Sequence, residues 1–257
     1  MSDKRNCLGF WFPLIEAVGL PVPKTEIVRS VADLTSLLDG EIPPGWYEFL
    51  DQLLAAAERI GYPCFLRTGH TSGKHSWKDT CHVPALSALG QHVFNLVEFS
   101  VICCVVGLPT EVWAVRELLP TEPVAIFPGY GDMPLCREFR AFVEGAEVCC
   151  IHPYWPWEAV ERGCQVEHVV DWEDWDRGIG HEIPVGLREA WEKLCELDQS
   201  TAAILGNLAS RAGRALGGGW SVDLLETARG WYVTDMAEAH RSWHWPGCSN
   251  AEVMGGI

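Results

Sequence analysis

Apolar residues between Trp46 and Ile60 fall at positions 46, 49, 50, 53, 54, 57 and 60. That single stripe at helical period predicts an amphipathic helix, with Gly61 placed to end it. Upstream, Gly19-Leu-Pro-Val-Pro-Lys-Thr-Glu-Ile-Val28 reads as a turn entering a short strand, and Ile42-Pro-Pro-Gly45 is a second break, so the first forty-odd residues look interrupted. Residues 62–67 predict a short strand and 68–80 a polar, glycine-containing loop. Residues 86–104 predict a helix from apolar spacing at 86, 89, 93, 96, 97 and 101. Residues 112–118 are strand-like. Residues 137–144 alternate charged and apolar positions, as a half-buried strand does; Gly145 turns the chain and 147–151 return it. Residues 152–176, rich in Trp and Pro, predict a packed irregular segment. Residues 187–216 are helical in one or two pieces, ended by Gly217-Gly-Gly219, and 220–226 with 231–235 predict a second hairpin. The order predicts an α+β chain with antiparallel hairpins in its second half, not a regular βαβ array, and contains no internal repeat.

Composition narrows the function classes. The chain has 257 residues, 48% hydrophobic and 21% charged, so it is neither disordered nor fibrous. Nineteen basic residues against thirty-five acidic give a net charge of −16, which repels phosphate backbones and argues against general nucleic-acid binding, though not against a local basic pocket for one nucleotide. The first apolar stretch is broken by Pro13 and Glu16, unlike a secretory signal. The longest apolar run, 93–108, contains Asn95, Glu98 and Ser100 and falls short of the roughly 20 residues of a membrane span. A soluble, cytoplasmic protein is expected, with no membrane partner. The eleven cysteines are odd in number, and the adjacent pairs Cys103–Cys104 and Cys149–Cys150 sit among Val and Ile. They read as reduced thiols, and the lack of a CxxC pair gives a structural zinc site no sequence support.

Four constellations carry candidate chemistry. Arg67-Thr-Gly-His-Thr-Ser-Gly-Lys74-His-Ser-Trp-Lys78-Asp79 gathers cations, hydroxyls and glycines on a loop after a strand, where backbone N–H groups approach an anion; the alternative is a solvated surface loop. Its Ser-Gly-Lys lacks the glycine spacing and following Ser or Thr of a Walker A loop. In Arg137-Glu-Phe-Arg140, Glu138 and Arg140 share a strand face, suited to clamping a phosphate or to an ordinary ion-pair face. Asp223 and Asp235, on adjacent strands of the second hairpin, are placed to meet as hard oxygen ligands for Mg2+ near nucleotide phosphates, or to cap turns. His240-Arg241-Ser242-Trp-His244-Trp245 offers a cationic, hydrogen-bonding, aromatic surface for a carboxylate or phosphate, against a purely packing role; His240 and His244 sharing a metal is the minor reading. His152-Pro-Tyr-Trp-Pro-Trp157 reads as a structural wall over a cleft.

The order of these motifs, from Gly19-Leu-Pro-Val-Pro-Lys-Thr25 through Lys74 and Lys78, Arg116-Glu-Leu-Leu119 and Arg137-Glu-Phe-Arg140 to Asp223 and Asp235, resembles the ATP-grasp superfamily over residues 19 to 245. The likeness is to its small divergent branch with a Glu-Phe-Arg motif, which includes a cell-division-cycle assembly chaperone. The resemblance implies two lobes with antiparallel sheets enclosing a nucleotide cleft: an N-terminal segment 1–45, a front lobe 46–115 with the basic loop, and a C-terminal lobe 116–257 with the metal-binding hairpin. It implies ATP and Mg2+ as cofactors. Arg67 with Lys74 or Lys78 would meet phosphates, Glu117, Leu118 and Leu119 would form the hinge at the adenine edge, and Arg140 would steady the γ-phosphate or an acyl-phosphate. Asp223 and Asp235 would hold Mg2+, and His240, Arg241 and Ser242 would hold the acid substrate. The implied activity is a ligase joining a carboxylate to an amine or thiol through an acyl-phosphate, with Arg140, Lys74 and Lys78 as its catalytic cations and a small-molecule or protein carboxylate as its partner. The alternatives are an ATP-binding assembly chaperone or regulatory module, and an ATP-dependent enzyme acting on nucleotides or nucleic-acid ends. One departure stands out: Ala237 occupies the position where the family often places an Asn ligand.

Overall fold

The computed structural model describes residues 4–103, 107–164 and 183–250. Alternation of side chains decides the first sheet. Strands β1 (Thr25–Arg29), β2 (Cys64–Thr68), β3 (His82–Val83) and β4 (Val112–Glu117) pair antiparallel in the order β1-β4-β2-β3. Val28, Cys64, Leu66, Trp113 and Val115 form one buried face, packed by Phe49 and Leu53 of helix α2 (Trp46–Ile60) and by Val93, Leu96 and Val97 of α3 (Leu89–Ile102). The other face carries the intervening residues, and in the β2–β4 register Phe65 lies opposite Arg116 and Arg67 opposite Ala114. The two cations therefore leave this sheet on the side away from its helices.

The second sheet is built the same way. Strands β7 (Glu138–Glu144), β8 (Glu147–Pro153), β9 (Gly219–Thr227) and β10 (Gly230–Glu238) run in the order β10-β9-β7-β8, all antiparallel. Phe139, Ala141, Val143, Trp220, Val222, Leu224 and Val233 bury one face against Leu205, Leu208 and Ala212 of α6 (Gln199–Leu216) and Leu8, Trp11, Phe12 and Ile15 of α1 (Leu8–Ala17). Each Val, Leu, Ile or Phe side chain among these contributes about 1.5–3 kcal/mol over leaving it exposed. Helix α6 approaches the β7–β8 turn so closely that a Cβ on Gly213 would collide with the carbonyl of Gly145.

Between the sheets, the short hairpin β5 (Ala125–Phe127) and β6 (Met133–Leu135) packs with α4 (Trp157–Cys164) and α5 (Leu187–Cys195) around Phe127, Tyr130, Trp155 and Leu187. Its turn anchors the basic loop: Trp77 N donates to Tyr130 O at 3.0 Å and Lys78 N to Gly131 O at 3.1 Å. Gly131, at φ 65°, leaves room for this contact, since a Cβ there would lie 2.9 Å from Trp77 N.

Several elements differ from the sequence reading. The interrupted first segment contains α1, whose residues 8, 11, 12 and 15 are buried at helical spacing despite Pro13. The expected irregular stretch from 152 begins with the end of β8 and contains α4; its residues 165–176, like Cys104, lie outside the described residues. Within residues 1–45, β1 joins the first sheet and α1 the core of the second. Among the described residues no helix is long and apolar enough to cross a membrane.

Candidate functional site

The outward faces of the two sheets enclose a cleft of about 370 Å3, within the range of small-molecule sites. Its apolar wall includes Phe65, Trp77, Leu119, Ile126, Met133 and Leu225, and its polar wall Arg67, Lys74, Arg116, Glu138, Asp223 and Asp235. Glu117, Leu118 and Leu119, the residues expected to form a hinge, line it where β4 ends.

On the second sheet, the direct cross-strand partner of Asp223 is Asp235 on one side and Arg140 on the other. Directly opposed residues share a face, so the three side chains converge. Asp235 reaches that face through a register shift: Val233 pairs with Leu224 and Asp235 with Asp223, leaving Thr234 as an extra residue. Without the bulge Asp235 would follow Val233 into the core.

Arg67, Lys74 and Arg140 each meet a carboxylate. Arg140 donates to Asp223 through two parallel bonds, Nε to Oδ1 at 2.7 Å and Nη2 to Oδ2 at 2.9 Å. Arg67 of the first sheet lies 2.9 Å from Asp235 of the second. Lys74 Nζ lies 3.7 Å from Glu138 Oε2, with the Tyr154 ring centre 3.8 Å away and that of Trp155 4.8 Å away. Arg116 crosses the cleft too, its Nη1 donating to the Thr234 carbonyl at 2.6 Å, while its buried Nη2 has no hydrogen-bond partner.

These contacts set the protonation states. Burial opposes the charge on Lys74, but Glu138, Tyr154 and Asp223 outweigh it and hold the ammonium above its ordinary pKa. Burial raises the Glu138 carboxyl to about 7, with Lys74 pulling it down and Asp223 pushing it up. Burial likewise disfavours ionised Asp235, yet Arg67 holds it below the usual carboxylate value. Burial, reinforced by the neighbouring charge of Arg67, lowers Arg116 to about 9. Arg140 is held above its ordinary value, the charge of Asp223 overcoming burial.

Not all the sequence candidates gather at this point. Lys78 is exposed and pairs with Asp132, a cleft residue, at 3.0 Å. His240 and Arg241 are exposed beyond the end of β10, and Ser242 is buried with its hydroxyl against that of Ser221. None of the three lines the cleft. Sequence reasoning gave Arg116, Tyr154 and Thr234 no individual role, although Arg116 opens the motif Arg116-Glu-Leu-Leu119 and Tyr154 lies in the wall 152–157, and it took Glu138 only as a partner for Arg140. Arg116 carries a signal, a charged residue directly after the apolar run Val112–Val115.

Asp223 and Asp235 offer hard oxygen donors suited to Mg2+, which takes one or two carboxylates and completes its shell with phosphate oxygens and water. Among the described residues no third His, Cys, Asp or Glu joins them in a ligand group. Ala237 supplies no donor, and the Glu238 carboxylate is held by Arg5 at 3.1 Å and Asn6 at 3.2 Å. Asp223 and Asp235 would thus be the two protein ligands of such an ion.

No family model matches the chain, and no curated protein does. Solved structures do. Cdc123 from Schizosaccharomyces pombe matches with a TM-score of 0.50 and 12% identity, over 91% of this chain and 83% of that one. The RimK domain protein ATP-grasp from Sphaerobacter thermophilus DSM 20745 gives 0.45 and 15%, over 90% and 57%. The ATP-grasp ligase PsnB, complexed with minimal precursor, gives 0.44 and 13%, over 98% and 58%. The chain therefore spans less than two thirds of the length of the latter two. The likeness to Cdc123 shows a shared fold, here an α+β arrangement of two antiparallel sheets around a cleft.

Proposed function

We propose that the cleft binds Mg-ATP and that the protein is an ATP-dependent ligase, activating a carboxylate as an acyl-phosphate for capture by an amine or thiol. One observation carries this reading: cations of the first lobe, Arg67 and Lys74, meet the carboxylates Asp235 and Glu138 of the second across a single cleft. A triphosphate entering there competes for the cations and leaves the carboxylates facing it. Adenine lies between the apolar walls beside Glu117, Leu118 and Leu119, and the phosphates lie toward Arg67, Lys74 and Arg140. Asp223 and Asp235 would hold Mg2+, which would supply neutralisation of phosphate charge. Arg140, fixed by its paired bonds to Asp223, and Lys74, fixed between two ring faces, oppose the charge that develops as the γ-phosphoryl group moves to the acid. No side-chain nucleophile is required. His240, Arg241 and Ser242 are assigned to the acid substrate, and Lys78 to the cleft mouth through Asp132.

An ATP-binding assembly module is the second reading, favoured by the position of the three substrate candidates outside the cleft lining. Calorimetry with ATP, ADP and GTP, with and without Mg2+, tests the shared premise. Mg2+-dependent ATP binding that is lost in Asp235→Asn supports it, and no binding of any nucleotide at millimolar concentration refutes it. ATP-dependent mass gain on a candidate acid separates ligase from module.

A further inference from the structure

Beyond the end of β10 the chain folds back across the open face of the second sheet. A one-turn helix, Ala239–Arg241, is followed by a segment that brings Ser242 onto Ser221 and the His244 ring to 4.3 Å from Phe142. On β8, Phe142 pairs with Cys150 and Arg140 with His152, so both β8 residues point to that same face. Cys150 is there because of a second bulge: Val148 pairs with Val143 and packs toward the core, Cys149 is the extra residue, and Cys150 turns outward.

We propose that Cys150, His152, His244 and Cys248 form a structural zinc site that fastens this C-terminal segment to β8. Their ligand atoms all lie within 4.8 Å of one another. A tetrahedral zinc ion with bonds of about 2.0–2.3 Å sets its ligands about 3.3–3.8 Å apart, so the cluster needs only a small contraction. Cys150 Sγ and His244 Nε2 are already 3.1 Å apart. His244 Nδ1 is 3.2 Å from the Trp245 carbonyl, which fixes the tautomer that leaves Nε2 for a metal. His152 Nε2 is buried with no hydrogen-bond partner, a cost that coordination removes. Two thiols and two imidazoles are the donor set of closed structural zinc sites, with no position left for substrate. The proposal departs from the sequence-based reading, which gave zinc no support for want of a CxxC pair. One pair of ligands is Cys-x-His on a strand and the other His-x3-Cys on a return segment, so neither follows the usual spacing. It also moves the metal role away from His240, which is exposed. The site touches the cleft through one neighbour: Arg140 Nη1 donates to the Trp243 carbonyl at 3.4 Å, so the fastened segment helps hold that guanidinium.

The test uses the full chain, incubated with Zn2+ under reducing conditions and desalted, with metal counted by mass spectrometry. The expected result is one zinc per chain, falling to background in His244→Ala and in Cys248→Ser. Cys248 lies outside both sheets, so its variant should keep the fold, checked by circular dichroism. Co2+ should bind in place of zinc with the intense ligand-field absorption of a tetrahedral, thiolate-bound ion, lost in the same variants. Failure to retain zinc in the wild type, or zinc retained in both variants, overturns the proposal. So does an octahedral Co2+ spectrum, or a Cys150–Cys248 disulfide in protein purified under reducing conditions.

Discussion

Lys74→Met removes the ammonium while keeping a long apolar side chain against Tyr154 and Trp155. In the structure the ammonium is 3.7 Å from Glu138 Oε2, too far for a short hydrogen bond, and only 24% of the side chain is exposed. It is thus a half-buried cation, held by the charge of Glu138 and by the ring faces of Tyr154 and Trp155. A charge-assisted hydrogen bond contributes about 1.5–3 kcal/mol, so the Kd for Mg-ATP should rise about 10- to 150-fold. Calorimetry at saturating Mg2+ measures this, with thermal unfolding to show that the variant is folded. Because the substitution also strips Glu138 of its counter-charge, the double variant Lys74→Met, Glu138→Gln decides the interpretation. If Lys74 contacts phosphate, the double variant binds ATP as weakly as the single one. An affinity within twofold of wild type in the single variant, or restored in the double, refutes the reasoning.

Two further predictions concern the frame that holds the site. Gly213→Ala should lower stability by about 2–4 kcal/mol, although Ala gains about 1 kcal/mol in helix propensity, because its Cβ meets a backbone carbonyl that cannot rotate away; an unchanged midpoint in urea unfolding counts against it. Asp198 caps α6, accepting from Ser200 N at 2.8 Å and Thr201 N at 2.9 Å. These bonds, the one from Thr201 foremost, hold its carboxyl below the ordinary aspartate value of 3.8. Its contribution is therefore complete above the unfolded-state pKa and is lost as pH falls through the lowered native one. The Tm deficit of Asp198→Ala should be full at neutral pH and shrink below about pH 4; a deficit that stays constant down to pH 3 contradicts the capping role.

Parts of the site follow from periodicity alone. Glu138 and Arg140 share a face because they are two apart on a strand; a hairpin turn joins the strands of Asp223 and Asp235, but only the bulge at Thr234 sets the two opposite each other. Helix α2 was legible because seven apolar positions lie on one stripe. Helix α1 was not, because Pro13 and Gly9 mask buried positions that have the same spacing. The pairing of Lys74 with Glu138 and of Arg67 with Asp235 depends on how one sheet docks on the other, and no local pattern encodes that. The Cys150, His152, His244 and Cys248 cluster escaped for the same reason, since its halves come from a strand and a tail that meet only in the fold.

The two register shifts bring the remaining lesson to a physical cause. Along a regular strand, residues two apart share a face, so Val233 would carry Asp235 into the core and Val148 would carry Cys150 with it. In each strand one extra residue, Thr234 or Cys149, reverses the parity. The valine stays with the hydrophobic core while the polar residue two positions later turns to the open face. Burying Asp235 on the core side would cost several kcal/mol with no partner there, whereas on the open face it meets Arg67. The same sheet therefore satisfies its core and presents its chemistry, at the cost of one unpaired position in each of two strands. Removing either extra residue should rotate the ligand beyond it inward and cost the corresponding site its carboxylate or thiol.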